Sequence, residues 1–261
     1  MDGLLQKIQT ILAQYTGRFG IVIINQSTGA RLELSPEMVF PAASMIKVPI
    51  MIEIMRQADA GLISLDDQIE VTSQVKVGGA GILTELRSGL TMTVRELVTL
   101  MIILSDNTAT NILIDLVSMK HVNSTMNSLG LRSTILQRRM MDFEAASLGH
   151  ENYTSAADLA FLFKGILEGS LCISPQLNAL MLDILKRQQV RDKLPFYLPE
   201  EIIIAHKTGT LPAAEHDGGI LFLPGGPYII SVFTADLAAN YEGLQLVAHI
   251  GKAIYDCVCK E

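Results

Sequence analysis

One short stretch, PAASMIKVP at residues 41–49, determines how the rest of the chain is interpreted. It places Ser44 and Lys47 three residues apart among apolar neighbours. The run over residues 46–55 favours a helix, so we expect Ser44 at or near a helix N-terminus. Positions i and i+3 of a helix share a face, which lets the Lys47 ammonium reach the Ser44 hydroxyl. Such a lysine can serve as the base that a serine nucleophile needs, provided that burial lowers its pKa.

The stretch alone is weak support for a catalytic site. Roughly one Ser-x-x-Lys is expected by chance in a chain of this length, and an N-cap serine followed by a surface lysine explains it equally well. Two further triplets change the balance, namely SDN at residues 105–107 and KTG at residues 207–209. Each is expected about 0.05 times by chance, so finding all three in this order is an event on the order of one in a thousand.

With these three motifs the chain resembles the serine β-lactamase and penicillin-binding-protein superfamily and, within it, the class A β-lactamase-like branch. The resemblance covers nearly the whole chain. It implies an α/β fold of the α+β type, in which a five-stranded antiparallel sheet is flanked by the N- and C-terminal helices and joined to an all-helical lobe. Residues 1–261 would form a single domain, with sublobes at 1–43 plus 195–261 and at 44–194.

The hydrophobic pattern predicts the same architecture. Apolar residues at helical spacing predict an N-terminal helix over residues 4–15 and a closing helix from about Tyr241 to Val258. Runs of apolar, β-branched residues predict strands at 19–25, 30–34, 201–208, 218–223 and 228–235. Helices dominate from residue 44 to about 190. The first and last parts of the chain must then meet in one sheet, with a ligand cleft between sheet and helical lobe.

The resemblance implies catalytic roles for Ser44, Lys47 and Ser105. Ser44 would be the nucleophile and Lys47 its proton acceptor or relay, while the Ser105 hydroxyl would pass a proton to the leaving nitrogen. The backbone N–H groups of Ser44 and Thr210 would bind the oxyanion. One such donor lowers the barrier by roughly 3 kcal/mol.

Four further residues are implied in substrate binding. The Asn107 amide would bind the substrate's side-chain amide or hold Lys47. Lys207 would bind the substrate carboxylate as a point charge and Thr208 through its hydroxyl, and Gly209 would let the substrate lie against the strand. The implied substrate is a small acyl compound with a carboxylate, either a β-lactam or a peptidoglycan D-Ala-D-Ala stem. The KTG triplet suits both.

The chain departs from the family in the loop that serves deacylation. Class A β-lactamases carry a Glu-x-x-Leu-Asn motif there, whose glutamate activates a water, and this chain lacks it. The corresponding residues 137–153 hold three carboxylates instead: Asp142, Glu144 and Glu151. Each could approach the site to activate a water, but none has the neighbours of the family motif, and each is better explained as a solvated residue or as a salt-bridge partner of Arg138 or Arg139. Without a placed base the acyl-enzyme should be long-lived.

Three functions therefore stay open. The first is a serine hydrolase of the β-lactamase type that acylates Ser44 and hydrolyses the ester. The second is a D,D-carboxypeptidase or esterase that uses the same residues and is inhibited by β-lactams. The third is a non-catalytic penicillin-binding sensor, for which a membrane segment or partner domain would be expected. We expect a monomer.

Composition excludes several other classes. Of 261 residues, 49% are hydrophobic and 18% charged, which supports a substantial core. The net charge of −7 argues against binding nucleic acid, which needs a basic surface. No apolar run is long enough for a transmembrane helix. The first residues as written lack the pattern of a signal peptide, whereas the family resemblance implies export, so the compartment stays open.

The histidines and cysteines predict neither a metal site nor a disulfide framework. The five histidines are scattered, and none forms a His/Cys cluster with metal-ligand spacing, so we expect no metal and no other cofactor. The three cysteines are Cys172, Cys257 and Cys259. An odd number of cysteines favours structural free thiols.

Overall fold

The computed structural model describes residues 2–171 and 173–259. Its helices are α1 Asp2–Leu12, α2 Lys47–Asp59, α3 Val94–Ile103, α4 Asn107–Val117, α5 Met119–Ser128, α6 Phe143–Ser147, α7 Ala156–Glu168, α8 Pro175–Lys186 and α9 Asn240–Cys259. Its strands are β1 Arg18–Asn25, β2 Arg31–Leu34, β3 Val39–Pro41, β4 Gln68–Val71, β5 Leu90–Thr93, β6 Tyr153–Ser155, β7 Ile204–Leu211, β8 Ala214–Leu223 and β9 Gly226–Ala235. Two 3₁₀ turns lie at Ala43–Ile46 and Ser73–Val75.

The predicted five-stranded sheet is confirmed. Its strands run in the order β2-β1-β9-β8-β7, and every neighbouring pair is antiparallel. The pairing of β1 with β9 joins the first and last parts of the chain, with Arg18 opposite Ala235. Strand β7 begins at Ile204, three residues later than predicted, because the Ile202 N–H bonds to the Pro199 carbonyl and closes a turn there.

Both faces of the sheet are covered. On one face, Ile21, Ile23 and Val232 pack with residues of α1 and α9 in one hydrophobic cluster. On the other face, Val22 and Ile229 belong to a second cluster that extends through the helical lobe. Because this second cluster is continuous from sheet to helices, we propose that the chain is a single domain with the two sublobes given above.

Short strands that the sequence pattern did not reveal hold the cleft region in place. Strand β3, just before Ser44, pairs antiparallel with β6, which ends the loop of residues 137–153. Strands β4 and β5 form a separate pair inside the helical lobe. Each is only three or four residues long, too short for a period-2 pattern to stand out.

No helix in the described part of the chain is long and apolar enough to span a membrane. Cys257 and Cys259 are free thiols and partly buried. Cys172 lies outside the described residues.

Candidate active site

Ser44 lies in the 3₁₀ turn Ala43–Ile46, directly before α2, as the expectation of a helix N-terminus required. The chain enters this turn through Ala43, whose φ of 47° is unusual for a residue with a side chain. The Ala42 N–H donates to the Asn152 carbonyl at 2.7 Å, which ties the turn to the far side of the cleft. The Ser44 side chain is partly exposed and lines the cleft.

Lys47 is fully buried and forms three hydrogen bonds. Its Nζ donates to the Ser105 carbonyl at 2.6 Å, to Ser105 Oγ at 3.0 Å and to Asn107 Oδ1 at 2.9 Å. A lysine ammonium has three donors, and all three are occupied. Within the described residues Lys47 therefore makes no hydrogen bond to Ser44, contrary to the expected direct contact. The ammonium is directed across the cleft to the SDN triplet instead.

Ser105 links the two lysines of the motifs. Its Oγ also accepts from Lys207 Nζ at 3.0 Å, so both of its lone pairs face an ammonium group. Its own hydrogen remains to be donated into the cleft. The backbone of Ser105 has a φ of 57°, in the left-handed region, where a non-glycine residue is uncommon and points to a functional constraint.

Burial lowers the pKa of both lysines. Desolvation brings the pKa of Lys47 down to about 7, while the negative charge of Asp106 opposes the shift. The pKa of Lys207 lies well below its ordinary value, first through desolvation and then through the positive charges of Lys47 and Lys193, with Asp217 acting in the opposite direction. Two ammonium groups that share one hydroxyl repel each other, which favours loss of a proton from the pair.

Asp106 shapes the site without facing the substrate, a role that the motif alone did not predict. Its Oδ1 accepts the Ala109 N–H and caps α4. Its Oδ2 accepts the N–H groups of Ile82 and Leu83 at 2.7 and 2.9 Å. These bonds fix the end of the loop of residues 76–81, which contains three glycines. Only glycine fits at position 81, since a Cβ there would lie 2.2 Å from Asp106 Oδ2.

Asn107 is the first residue of α4, so the SDN triplet ends inside a helix instead of lying wholly in a loop. Its Oδ1 holds Lys47, and its Nδ2 donates to the Gly78 carbonyl at 3.1 Å. Two roles were expected for this side chain, and the structure shows its contact with Lys47.

The KTG triplet lies on β7, the outer strand of the sheet. The Lys207 Nζ also donates to the Thr208 carbonyl at 2.7 Å. Gly209 has a structural reason besides the expected approach of a substrate, which stays a prediction. A Cβ at this position would meet Ala43 Cβ at 3.0 Å and Met45 Cγ at 3.2 Å, so glycine is needed for close packing of β7 against the turn that carries Ser44.

Thr210 is exposed and lines the cleft beside Ser44. Its hydroxyl donates to Glu215 Oε2 at 2.7 Å and accepts from Lys193 Nζ at 3.3 Å. No motif pointed to Lys193 or Glu215. Glu215 is brought to Thr210 by the pairing of β7 with β8, and Lys193 by the segment before β7, in which the Leu194 N–H donates to Asp217. Sequence spacing alone reveals neither.

The cleft itself is small, about 110 Å³. Motif residues line it together with apolar side chains of the 137–153 loop: Ser44, Asn107, Thr210, Met140, Met141 and Phe143. Phe143 is 69% exposed, which places a large apolar side chain at the cleft. The loop therefore lines the cleft with apolar side chains beside the polar Arg138, Glu151 and Asn152.

Of the three loop carboxylates, only Glu151 lines the cleft, and it is already paired. Its two oxygens accept from Arg138 Nε and Nη2, each at 3.0 Å. Asp142 caps α6 by accepting the Ala145 N–H, and Glu144 is exposed on the same helix. Glu151 is therefore a salt-bridge partner of Arg138, which confirms one of the two structural explanations given for it. Among the described residues, no unpaired carboxylate lines the cleft beside Ser44.

His216 fixes the chain just before the nucleophile, another contact that the sequence analysis missed. Its Nε2 lies 2.9 Å from the Pro41 carbonyl, so it must be the protonated donor, while Nδ1 accepts the Thr234 N–H at 3.3 Å. Desolvation lowers the pKa of His216 to about 4. The ring is therefore neutral and serves to position the backbone.

Among the described residues, no group of three or more His, Cys, Asp or Glu side chains is arranged to hold a metal ion. The polar groups that line the cleft are hydroxyls, amides and the Arg138–Glu151 ion pair, with Lys47 and Lys207 buried behind them. This set suits acyl transfer to a serine hydroxyl.

Comparison with known proteins agrees with this chemistry. The model of the beta-lactamase enzyme family matches residues 3–258. The chain therefore belongs to the beta-lactamase enzyme family, and the resemblance given by the three motifs is confirmed.

Several relatives match over nearly their whole length. Beta-lactamase VEB-1 from Pseudomonas aeruginosa is 27% identical, with 98% of this chain and 90% of the relative covered. The crystal structure of a beta-lactamase from Sphaerobacter thermophilus is 33% identical, with a TM-score of 0.90 over 100% of this chain and 98% of the other. The structure of PBP-A is 29% identical, with a TM-score of 0.89 over 100% and 97%. A leucine-to-glutamate variant of PBP-A was captured as an acyl-enzyme complex with penicillin G.

Proposed function

We propose that this protein is a serine hydrolase of the β-lactamase type, which opens β-lactam amides through an ester on Ser44. One observation carries the proposal. The Ser105 hydroxyl lies 3.0 Å from both Lys47 and Lys207, and Asn107, which accepts from Lys47, lines the same cleft as Ser44. This arrangement provides a nucleophile, a lysine with a pKa near 7 and a hydroxyl that can pass a proton to a leaving group.

Acylation begins when Ser44 Oγ attacks the lactam carbonyl. Its proton passes to the neutral form of Lys47, directly after the lysine turns from Ser105 or through a bound water, since in the free protein Lys47 is held on Ser105 and Asn107. Catalytic hydrogen bonds often tighten only when substrate is bound. The N–H groups of Ser44 and Thr210 stabilise the oxyanion that forms.

Collapse of the tetrahedral intermediate breaks the C–N bond of the lactam ring. The Ser105 hydroxyl donates its hydrogen to the leaving nitrogen and regains a proton from Lys47. The acyl group stays on Ser44 as an ester, and the proton taken from Ser44 ends on the ring nitrogen.

The substrate carboxylate would bind at Lys207 and Thr208. In the free protein neither Lys47 nor Lys207 forms a salt bridge with a carboxylate of the described residues, so the site holds excess positive charge when both are protonated. An anionic substrate supplies the missing negative charge. It also raises the pKa of Lys207, since an opposite charge nearby favours the ammonium form.

A second function, a D,D-carboxypeptidase or esterase that β-lactams inhibit, is favoured by one observation. The only loop carboxylate at the cleft in the described chain, Glu151, is engaged on both oxygens by Arg138. A carboxylate held in this way is a poor base for a deacylating water. The similarity to PBP-A is consistent with such a site.

The test is to mix the purified protein with a chromogenic cephalosporin and to follow hydrolysis and intact mass together. Sustained turnover supports the β-lactamase, and a stoichiometric burst with a stable mass increase supports the inhibited peptidase or esterase. Ser44→Ala must abolish both signals. Covalent labelling that survives this substitution would show that Ser44 is not the nucleophile.

A further inference from the structure

A buried ion pair lies directly behind the outer strand of the cleft. Lys193 and Glu215 are 1% and 2% exposed, and Lys193 Nζ lies 3.1 Å from Glu215 Oε2. Burying two charges is costly, and such pairs are not retained for stability alone when apolar residues would serve as well. Because the pair lies beside the cleft, its role is to be sought in the active site.

The residue that the pair touches is Thr210. Its hydroxyl is held from both sides, since it donates to Glu215 Oε2 at 2.7 Å and accepts from Lys193 Nζ at 3.3 Å. Hydrogen bonds to charged groups are stronger and more directional than those between neutral groups. The side chain of an exposed residue on an edge strand is thus fixed by two buried charges.

Glu215 also fixes the turn between β7 and β8, which follows Thr210. Its Oε1 accepts from Asn240 Nδ2 at 2.7 Å, and the same amide group donates to the Leu211 carbonyl at 2.8 Å. Asn240 Oδ1 accepts the N–H of Ala213, which has a φ of 58°. The carboxylate therefore anchors the strand both at Thr210 and through the turn after it.

Edge strands lack a neighbour on one side, so their outward N–H groups are the least constrained of a sheet. A donor that must stabilise a developing oxyanion has to be held in place before the reaction. We propose that Lys193 and Glu215 are positioning residues that hold the Thr210 backbone N–H in its oxyanion-binding orientation. This inference rests on the proposed acylation of Ser44.

The central test compares two substitutions at Thr210. Thr210→Val keeps the shape and the backbone N–H but removes the anchoring hydroxyl, whereas Thr210→Ser keeps the hydroxyl. We expect Thr210→Val to slow acylation by about 10- to 100-fold, less than removal of a donor itself, with substrate affinity little changed. Thr210→Ser should recover most of the acylation rate that Thr210→Val loses. The control is Thr28→Val, at a turn beside β2, on the opposite edge of the sheet.

A spectroscopic readout separates positioning from general loosening. In the acyl-enzyme, the ester carbonyl is polarised by the oxyanion donors, so its infrared stretch should move to higher frequency in Thr210→Val and return in Thr210→Ser. The double variant Lys193→Met/Glu215→Leu removes the anchor without leaving a buried charge unpaired, so it should fold. It should reproduce both the slower acylation and the shifted band.

Normal acylation and an unshifted carbonyl band in both Thr210→Val and the double variant would overturn the positioning role alone. A failure of the unchanged protein to form an ester on Ser44 would overturn this inference together with the proposed function. Ester formation in the unchanged protein therefore distinguishes the two failures.

Discussion

Two buried charged groups, Lys47 with Lys207 and Lys193 with Glu215, differ in how their charge is balanced. Lys47 and Lys207 converge on the Ser105 hydroxyl with no carboxylate of the described chain in salt-bridge contact. Lys193 lies against Glu215 at 3.1 Å. The unbalanced group has lowered pKa values and is suited to moving protons. The balanced pair is suited to holding a strand in place.

The largest effect that this contrast predicts is on acylation. Lys47→Met should slow acylation by roughly 10³- to 10⁴-fold, because the general base is lost. Lys193→Met removes a lysine that is equally buried but paired, and it should slow acylation far less. Rapid-mixing measurements of ester formation check both. Similar losses in the two variants would remove the distinction between the groups.

For the free energy of unfolding, disrupting the Lys193–Glu215 pair should cost more than removing Lys47. Glu215→Ala leaves the buried Lys193 charge with the half-exposed Asp192, 3.6 Å away, as its remaining carboxylate, and should lower the free energy of unfolding by about 3 kcal/mol. Lys47→Met removes an unbalanced buried charge and should leave stability unchanged or raise it. Urea denaturation measures both. A Lys47→Met protein that is as unstable as Glu215→Ala would contradict the contrast.

His216 offers a third case, a buried group that stays neutral. Its pKa is about 4 in the folded protein against 6.5 in the ordinary state, so between these values the unfolded chain binds more protons. Stability should therefore fall by about 3 kcal/mol as the pH drops from 6.5 to 4. The part of this slope due to His216 should vanish in His216→Phe and persist in His150→Gln, which alters an exposed loop residue.

The smallest predicted effect concerns the packing of β7, which carries Lys207, against the turn that carries Ser44. Gly209→Ala adds a Cβ 3.0 Å from that of Ala43, which the turn can relieve only by shifting a few tenths of an ångström. We expect a loss of about 1 kcal/mol in stability and a several-fold slower acylation. Gly3→Ala, with open space around the new Cβ, is the matched control. Equal behaviour of the two variants would show that the turn yields freely.

The sequence predicted the parts of the molecule that local patterns encode. The strands of the main sheet follow from β-branched runs, and the second and third motifs meet where Lys207 donates to Ser105 Oγ. Ser44 of the first motif and Asn107 of the second line one cleft. Boundaries shifted where one turn decided them, as at Pro199 before β7.

The sequence could not predict contacts that exist only after folding. Glu215 meets Thr210 because β7 and β8 pair in one particular register, and Lys193 reaches both from the segment before β7, where the Leu194 N–H donates to Asp217. Sequence spacing predicts neither contact. The direction of Lys47 toward Ser105, away from Ser44, depends on which acceptors surround a buried ammonium. The packing role of Gly209 likewise depends on the approach of a strand to a distant turn.

The most direct test of the unbalanced lysine group is the pH dependence of acylation. The second-order rate constant for ester formation on Ser44 reports the free protein, so it should rise with pH and level off above a midpoint near 7 as Lys47 becomes neutral. The rise should be absent in Lys47→Arg, whose side chain stays charged. A rate constant that is independent of pH, or one that rises only near 10.5, the ordinary value for a lysine, would contradict the account.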